Sequence, residues 1–283
     1  NKIPMTRELF DLAIIDEASQ TDVVSSLPIL FRAKRAVVIG DEMQLRPVAT
    51  LSDEINQALM DGYGLVKDSE KSFDYKESSI LDIANTRYTE SGGRRILLRD
   101  HFRSHPDIIG FSNRCFYNAA LRIRTESEDR QGVFFHDVQG PATPRWQNAS
   151  EIAFIVDHVR SLLERGIQHR DIGIVTPFRG QADSVVSRLR ETNLYQSEGG
   201  ALTVSTAHGY QGDEKDFMIF SLVVSENMPE NSILWVHNIA TYSKNLLNVA
   251  LTRAKKELHI VGSREVCITA GGLLRELVAH CDR

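Results

Sequence analysis

A chain of 283 residues has room for one large domain or two of ordinary size. With 42% hydrophobic and 25% charged residues and no apolar run of membrane-spanning length, it is expected to be a soluble globular protein without a membrane partner, cytoplasmic or nuclear. A net charge of −5 argues against a protein that simply coats nucleic acid, so any polyanion must be met by a local groove.

In chain order, the first informative stretch is Asp11-Leu-Ala-Ile-Ile-Asp-Glu-Ala-Ser-Gln20. Leu12 to Ile15 is a short apolar run, the pattern of a strand covered on both faces of a parallel sheet. Asp16 and Glu17 come where that strand runs out, and open α/β sheets bind ligands outside the carboxyl ends of their strands. An aspartate there can hold Mg²⁺ and a neighbouring glutamate can polarise an attacking water. A buried strand ending in an acidic turn is the plainer alternative. A helix is expected over Val23 to Leu30, followed by a second buried strand from Ala36 to Ile39. Gly40 would allow a tight turn at its end, presenting Asp41 and Gln44 at the same sheet edge as Asp16 and Glu17.

Residues 53 to 95 are expected to hold a helix from Glu54 to Met60, an exposed charged loop from Asp68 to Lys76, and another helix starting within Ser79 to Ala84. Arg95 to Leu98 is expected as a strand. Pro106 disfavours a helix through His105 and leaves Arg103 in a connecting turn, before a helix from Asp107 to Leu121. A strand at Val133 to Phe135 and a polar loop through Trp146 lead to a helix, Ser150 to Arg165, with Ser150 as its N-cap. Asp171 to Gln181 is a strand-turn-helix in which Thr176 and Pro177 close the strand, and exposed helix amides suit a phosphate. Phe178 could stack on a base or pack under the turn. Ala201 to Thr206 and Asp216 to Val224 are further apolar strands. Between them Gly209 and Gly212 permit close approach to a ligand, while Gln211 and Glu214 offer hydrogen-bonding groups. After a variable stretch from Glu226 to Tyr242, a helix from Leu246 to Lys255 feeds the strand Leu258 to Val261. Arg253 near that helix's end either complements the helix dipole or points a guanidinium at a phosphate.

Cys115, Cys267 and Cys281 lie far apart without a CxxC pair, which predicts a reducing compartment and no structural zinc. Nine histidines are scattered, and His101 with His105 lacks a partner to complete a ligand set.

Taken in order, these blocks resemble those of superfamily 1 helicases, in particular the branch containing the nonsense-mediated-decay RNA helicase and related 5′-to-3′ DNA helicases. Asp16 to Gln20 is similar to motif II, Gly40 to Pro47 to motif III, and Phe102-Arg-Ser-His-Pro106 to the motif IV region. Ile174 to Phe178 with Gln181 is similar to the second-domain counterpart of motif Ib, Val204 to Glu214 to motif V, and Asn248 to Ala254 to motif VI. The resemblance implies an α/β chain with two RecA-like P-loop NTPase-type domains built on parallel sheets, over residues 1–105 and 106–283. ATP would be hydrolysed in the cleft between them. Asp16 would coordinate Mg²⁺, Glu17 activate water, and Gln44 sense the γ-phosphate. Arg103 and Arg253 would neutralise its charge, a contribution of about 10³–10⁵ in rate. Gly40, Asp41, Gly212 and Glu214 would line the nucleotide site. Thr176, Pro177, Phe178, Gln181 and Thr206 would touch a single strand of DNA or RNA.

The departure from the family is that no G-x-x-x-x-G-K-[ST] loop and no Gly-Lys pair occurs in the chain. The first domain is therefore expected to be incomplete, its phosphate-loop half belonging to an upstream part of the same polypeptide, and these 283 residues alone are expected to turn over ATP poorly. The competing expectation is a non-catalytic nucleic-acid-binding or scaffold protein that kept the fold.

Overall fold

A computed structural model describes residues 3–64, 74–76, 78–195, 201–210, 212–225 and 244–283. The chain divides between Leu97 and Leu98 into two compact units. The expected variable stretch Glu226 to Tyr242, most of the charged loop after Asp68, and Gln211 lie outside the described residues.

In the first unit β1 (Ala13–Ile15) pairs in parallel with β2 (Ala36–Val38), joined through α1 (Val23–Phe31). Asp22 caps α1 by accepting from the Ser25 amide at 2.7 Å. α2 (Asp53–Gly62) and α3 (Ile80–Glu90) follow, and α3 begins in a reciprocal capping box between Ser79 and Asp82. Ile15, Ala18, Ile80 and Leu81 form the core, with Leu30 and Val38 against it. Coverage is one-sided, unlike the expected two-faced burial: Ile14 is 65% and Val37 43% exposed. An apolar run signals a need for cover on both faces; α1 and α3 supply it on one.

The second unit holds a five-stranded parallel sheet in the order β5-β9-β8-β6-β7, made of β5 (Val133–Asp137), β6 (Ile172–Thr176), β7 (Thr203–Thr206), β8 (Lys215–Ser221) and β9 (Ala254–Gly262). A two-residue parallel pair, β3 (Asp100–His101) with β4 (Arg122–Ile123), lies beside it in sequence. The helices among the described residues are α4 (Pro106–Cys115), α5 (Ala149–Glu164), α6 (Arg179–Glu191), α7 (Lys244–Thr252), α8 (Arg264–Ala270) and α9 (Gly272–Cys281). All five residues of β6 are buried, as a parallel strand with helices on both faces requires. One layer is α5 and α6, whose Ile155, Val159, Leu162, Val185 and Leu189 pack on Ile172, Ile174 and Ile219. α4 packs with α7 and α9 on the remaining side of the core. The α4 end is pinned because Asp107 accepts from the Gly132 and Val133 amides at 2.9 and 3.1 Å and from His280 at 2.9 Å.

The expected strand at Arg95 to Leu98 is not formed; Ile96 and Leu98 are 89% and 80% exposed, and pairing starts only at Asp100, where β4 offers a neighbour. The helix expected to Leu121 ends at Cys115. α5 is capped by Asn148, not Ser150: the Asn148 carboxamide oxygen accepts from the Ser150 and Glu151 amides at 3.0 and 3.1 Å. The helix expected to run to Lys255 stops at Thr252, and β9 begins at Ala254.

Candidate functional site

In the first unit Asp16 and Glu17 stand exposed at the carboxyl end of β1. Glu17 sits at φ 50°, a strained value for a residue with a Cβ. Its amide donates to Asp16 Oδ1 at 2.9 Å, and its Oε2 accepts from Gln20 at 3.3 Å. The turn is held from two sides. Ala18 donates to Ile39 O at 2.9 Å, and the first amides of α3, Ile80 and Leu81, donate to Thr21 O and Ala18 O. Gly40 follows β2 for a steric reason and not for a positive φ. A Cβ there would lie 3.0 Å from the Ser19 nitrogen and 3.1 Å from that of Ala18. Close backbone approach thus sets Asp41 next to the acidic turn, and Asp41 folds its own loop by accepting from Met43 N (2.8 Å) and, through its carbonyl, from Gln44 N (3.0 Å).

In the second unit three segments distant in sequence converge on Glu214. Arg103 Nε lies 2.5 Å from Glu214 Oε2, and Lys255 Nζ lies 2.7 Å from Oε1. Burial works to raise the Glu214 pKa, but the Lys255 hydrogen bond and the charges of Arg103, Lys255 and Arg253 outweigh it and hold the carboxyl below its ordinary range. The backbone explains the convergence. The Arg103 loop is tied to β9 by His105 N donating to Lys255 O at 2.6 Å, and Lys215 N donates to Arg253 O at 3.0 Å beside the first β8–β9 rung. Arg253 is the single residue between α7 and β9 and is 5% exposed, so its guanidinium is placed by two rigid elements. Gly212, at φ 79°, makes the turn that delivers Glu214. Asp213 is occupied with Lys215 at 3.3 Å, so four cations here face two carboxylates.

Thr176, Pro177, Phe178, Gln181 and Thr206 lie at the other, carboxyl edge of the same sheet, where β6 and β7 end. Thr176 and Gln181 are fully buried. Both ends of the Gln181 carboxamide are engaged: Oε1 accepts from Asn148 N at 2.9 Å and Nε2 donates to Ser221 Oγ at 3.0 Å. Ser221 in turn donates to the buried Glu151 at 2.6 Å. This network fixes the half-buried Phe178, which stacks on Trp146 with ring centres 4.6 Å apart and planes 11° apart. Trp146 itself holds a left-handed φ of 60°. Tyr210, after β7, bolts the loop between β7 and β8 to the sheet by donating to Thr203 O (2.5 Å) and accepting from Ile174 N (3.0 Å). Sequence reading gave no role to Lys255, Trp146, Tyr210 or Glu151, and no local spacing links Trp146 to Phe178.

A family model described as an AAA domain matches residues 82–265, and a second AAA domain model matches residues 4–52. The chain is similar to a 5'-3' DNA helicase of Mus musculus, ZGRF1, at 27% identity over 96% of this chain and 14% of that protein. It is similar to an uncharacterized ATP-dependent helicase of Mycoplasma genitalium at 29% identity, over 91% of this chain and 23% of the relative, and to the Drosophila melanogaster homolog of regulator of nonsense transcripts 1 at 27%, over 93% and 21%. The chain thus spans from 14% to 23% of the length of these relatives. Among solved structures, the PRRSV helicase aligns over 89% of this chain and 34% of its own at 15% identity and a TM-score of 0.42.

Proposed function

The chain belongs to the AAA-domain family of superfamily 1 helicases, in the branch of the nonsense-mediated-decay helicase, and from that membership we propose that it carries part of an ATP-driven translocase acting on single-stranded nucleic acid. The observation that supports this most is the meeting of Arg103 and Arg253, 150 positions apart in sequence, at one carboxylate on the amino edge of a parallel sheet. An arginine held in place between a helix and a strand suits the charge spread over the oxygens of a transferring phosphoryl group.

In this reading the triphosphate exchanges with Glu214 for the guanidiniums of Arg103 and Arg253. Glu17 orients the attacking water, and Gln44 reports the γ-phosphate to the rest of the first unit. Mg²⁺ fits Asp16, whose exposed carboxylate ends β1 beside Asp41, and when bound it supplies charge neutralisation on the phosphate oxygens. Gly40 and Gly212 keep backbone close to the nucleotide. The nucleic acid takes the opposite edge of the second unit's sheet. Phe178 with Trp146 forms the surface on which a base stacks, while Pro177 and Thr206 meet the backbone. Thr176 and Gln181, being buried, act by shaping that loop. The amide cradle and lysine for the β- and γ-phosphates are missing from these residues and come from polypeptide outside them.

The test is Glu17→Gln in a longer polypeptide that includes the phosphate loop. Polynucleotide-stimulated ATP hydrolysis should vanish while oligonucleotide binding stays. Unchanged turnover overturns the assignment, and a wild-type longer protein that binds single strands without hydrolysing ATP points instead to a non-catalytic nucleic-acid-binding descendant of the fold.

A further inference from the structure

Away from both edges, the face of the second unit's sheet beneath α5 carries a cluster that the proposed function does not use. His136 on β5, His158 on α5 and His259 on β9 each bring one ring nitrogen to within 4.8 Å of the other two. His136 Nε2 and His259 Nδ1 are 3.0 Å apart. The three rings are half-buried or buried, walled by Phe134, stacked on His259 at 5.0 Å, and by Phe154, stacked on His158 at 5.6 Å. His158 Nε2 is buried and has no hydrogen-bond partner, a cost that a core selected only for packing would avoid by using another Phe.

The tautomers follow from the partners. Glu257 Oε2 lies 3.0 Å from His259 Nε2 and is itself gripped by Arg165 through both terminal nitrogens at 2.8 and 3.3 Å. The carboxylate accepts, so His259 carries its proton on Nε2 and turns a bare Nδ1 toward His136. A carboxylate behind an imidazole, with the far nitrogen bare, is the arrangement that orients a metal-ligating histidine. A tetrahedral cation with metal–nitrogen bonds of about 2.0–2.1 Å sets its nitrogens roughly 3.3 Å apart. One pair already stands close to that spacing, and the third nitrogen lies within 4.8 Å of both.

We propose that His136, His158 and His259 form a site for a divalent transition cation, Zn²⁺ by its all-imidazole donor set, with Glu257 holding His259 in the ligating tautomer. On binding, the His136 proton moves from Nε2 to Nδ1 through solvent, and the fourth position is left to water. The ion would join the edge strand β5 to β9 and to α5, adding to the β5–β9 ladder and to the Arg165–Glu257 ion pair that ties the end of α5 to β9.

The experiment is titration of the tag-free, chelator-treated chain with ZnCl₂ by calorimetry and with CoCl₂ by visible absorption. One Zn²⁺ per chain should bind, with a raised thermal midpoint, and Co²⁺ should give the intense tetrahedral band. His158→Phe keeps the stack on Phe154 and should stay folded while losing the ion; Glu257→Gln should weaken binding by about 10- to 100-fold. Absence of stoichiometric binding, equal binding by His158→Phe, or an octahedral Co²⁺ spectrum overturns the proposal. Should His158→Phe fail to fold, the wild-type Co²⁺ spectrum decides alone.

Discussion

Substituting Glu151 by Gln should change how the fold responds to pH. Glu151 is fully buried in α5, and its described partners, the Ser221 hydroxyl at 2.6 Å and the Val223 amide at 3.1 Å, are neutral donors, both on Oε2. Burial therefore dominates, only partly offset by these two hydrogen bonds, and pushes the carboxyl up to about 8 from an ordinary 4.5. Between those values the folded chain keeps a proton that the unfolded chain releases. The folded state binds the extra proton, so stability falls as pH rises, by about 1.4 kcal/mol per pH unit. The full contribution is present below pH 4.5 and is lost as pH climbs through 8. Gln is isosteric, accepts the same two hydrogen bonds and does not titrate. Urea unfolding of both proteins from pH 5 to pH 8 should show wild type losing about 3.5 kcal/mol relative to Glu151→Gln across that span, the slope flattening near each end. Taking the difference cancels other groups, including Asp107, whose carboxyl is held low (despite burial) by His280 and two amides. Parallel curves would refute the reasoning, because they would mean the buried carboxyl is ionised or hydrated in the native state.

Three further outcomes test the first unit's close turn, the second unit's core and the aromatic pair. Gly40→Ala should destabilise the first unit by about 1–3 kcal/mol in urea unfolding, since its Cβ meets two backbone nitrogens and Leu81 at 3.0–3.1 Å. Tyr210→Phe strands the Ile174 amide and Thr203 carbonyl in the core and should cost about 1–3 kcal/mol by the same measurement; a neutral effect would mean water replaces the hydroxyl. Phe178→Ala should lower affinity for a single-stranded oligonucleotide by about 5- to 150-fold in a fluorescence-anisotropy titration, and unchanged affinity would remove the aromatic pair from the nucleic-acid site.

Much of the fold was legible where one principle acted alone. The parallel strands announced themselves as unbroken apolar runs because burial on both faces leaves no room for alternation, and β6, β8 and β9 fall where those runs lie. The boundaries went wrong where a distant partner outbid a local preference. Ser150 and Asn148 are both good caps, and the choice fell to Asn148 because Gln181, 33 residues on, takes its amide. α7 continues as helix in any periodic reading of Leu246 to Lys255, yet β9 starts at Ala254 because Lys215 pairs there. That same switch is what isolates Arg253. Asp16 and Glu17 were visible as acidic residues at a strand end, Arg103 in a connecting turn and Glu214 in a loop between strands, but the pairing of Arg103 with Glu214 within the second unit was not: no local spacing links residue 103 to residue 214, or His136 to His259. The resemblance gives Gln181 as a contact to the single strand, and only the tertiary network shows both ends of its carboxamide engaged inside.

Affinity of the longer polypeptide, phosphate loop included, for ADP with aluminium fluoride measures the central claim most directly, because this complex mimics the transferring phosphate. Arg253→Ala and Arg103→Ala should each weaken it by about 10³-fold or more while leaving the affinity for ADP alone unchanged. Equal affinity of wild type and both variants for the fluoride complex would contradict the account, since guanidiniums that do not feel the transferring phosphate are only partners of Glu214.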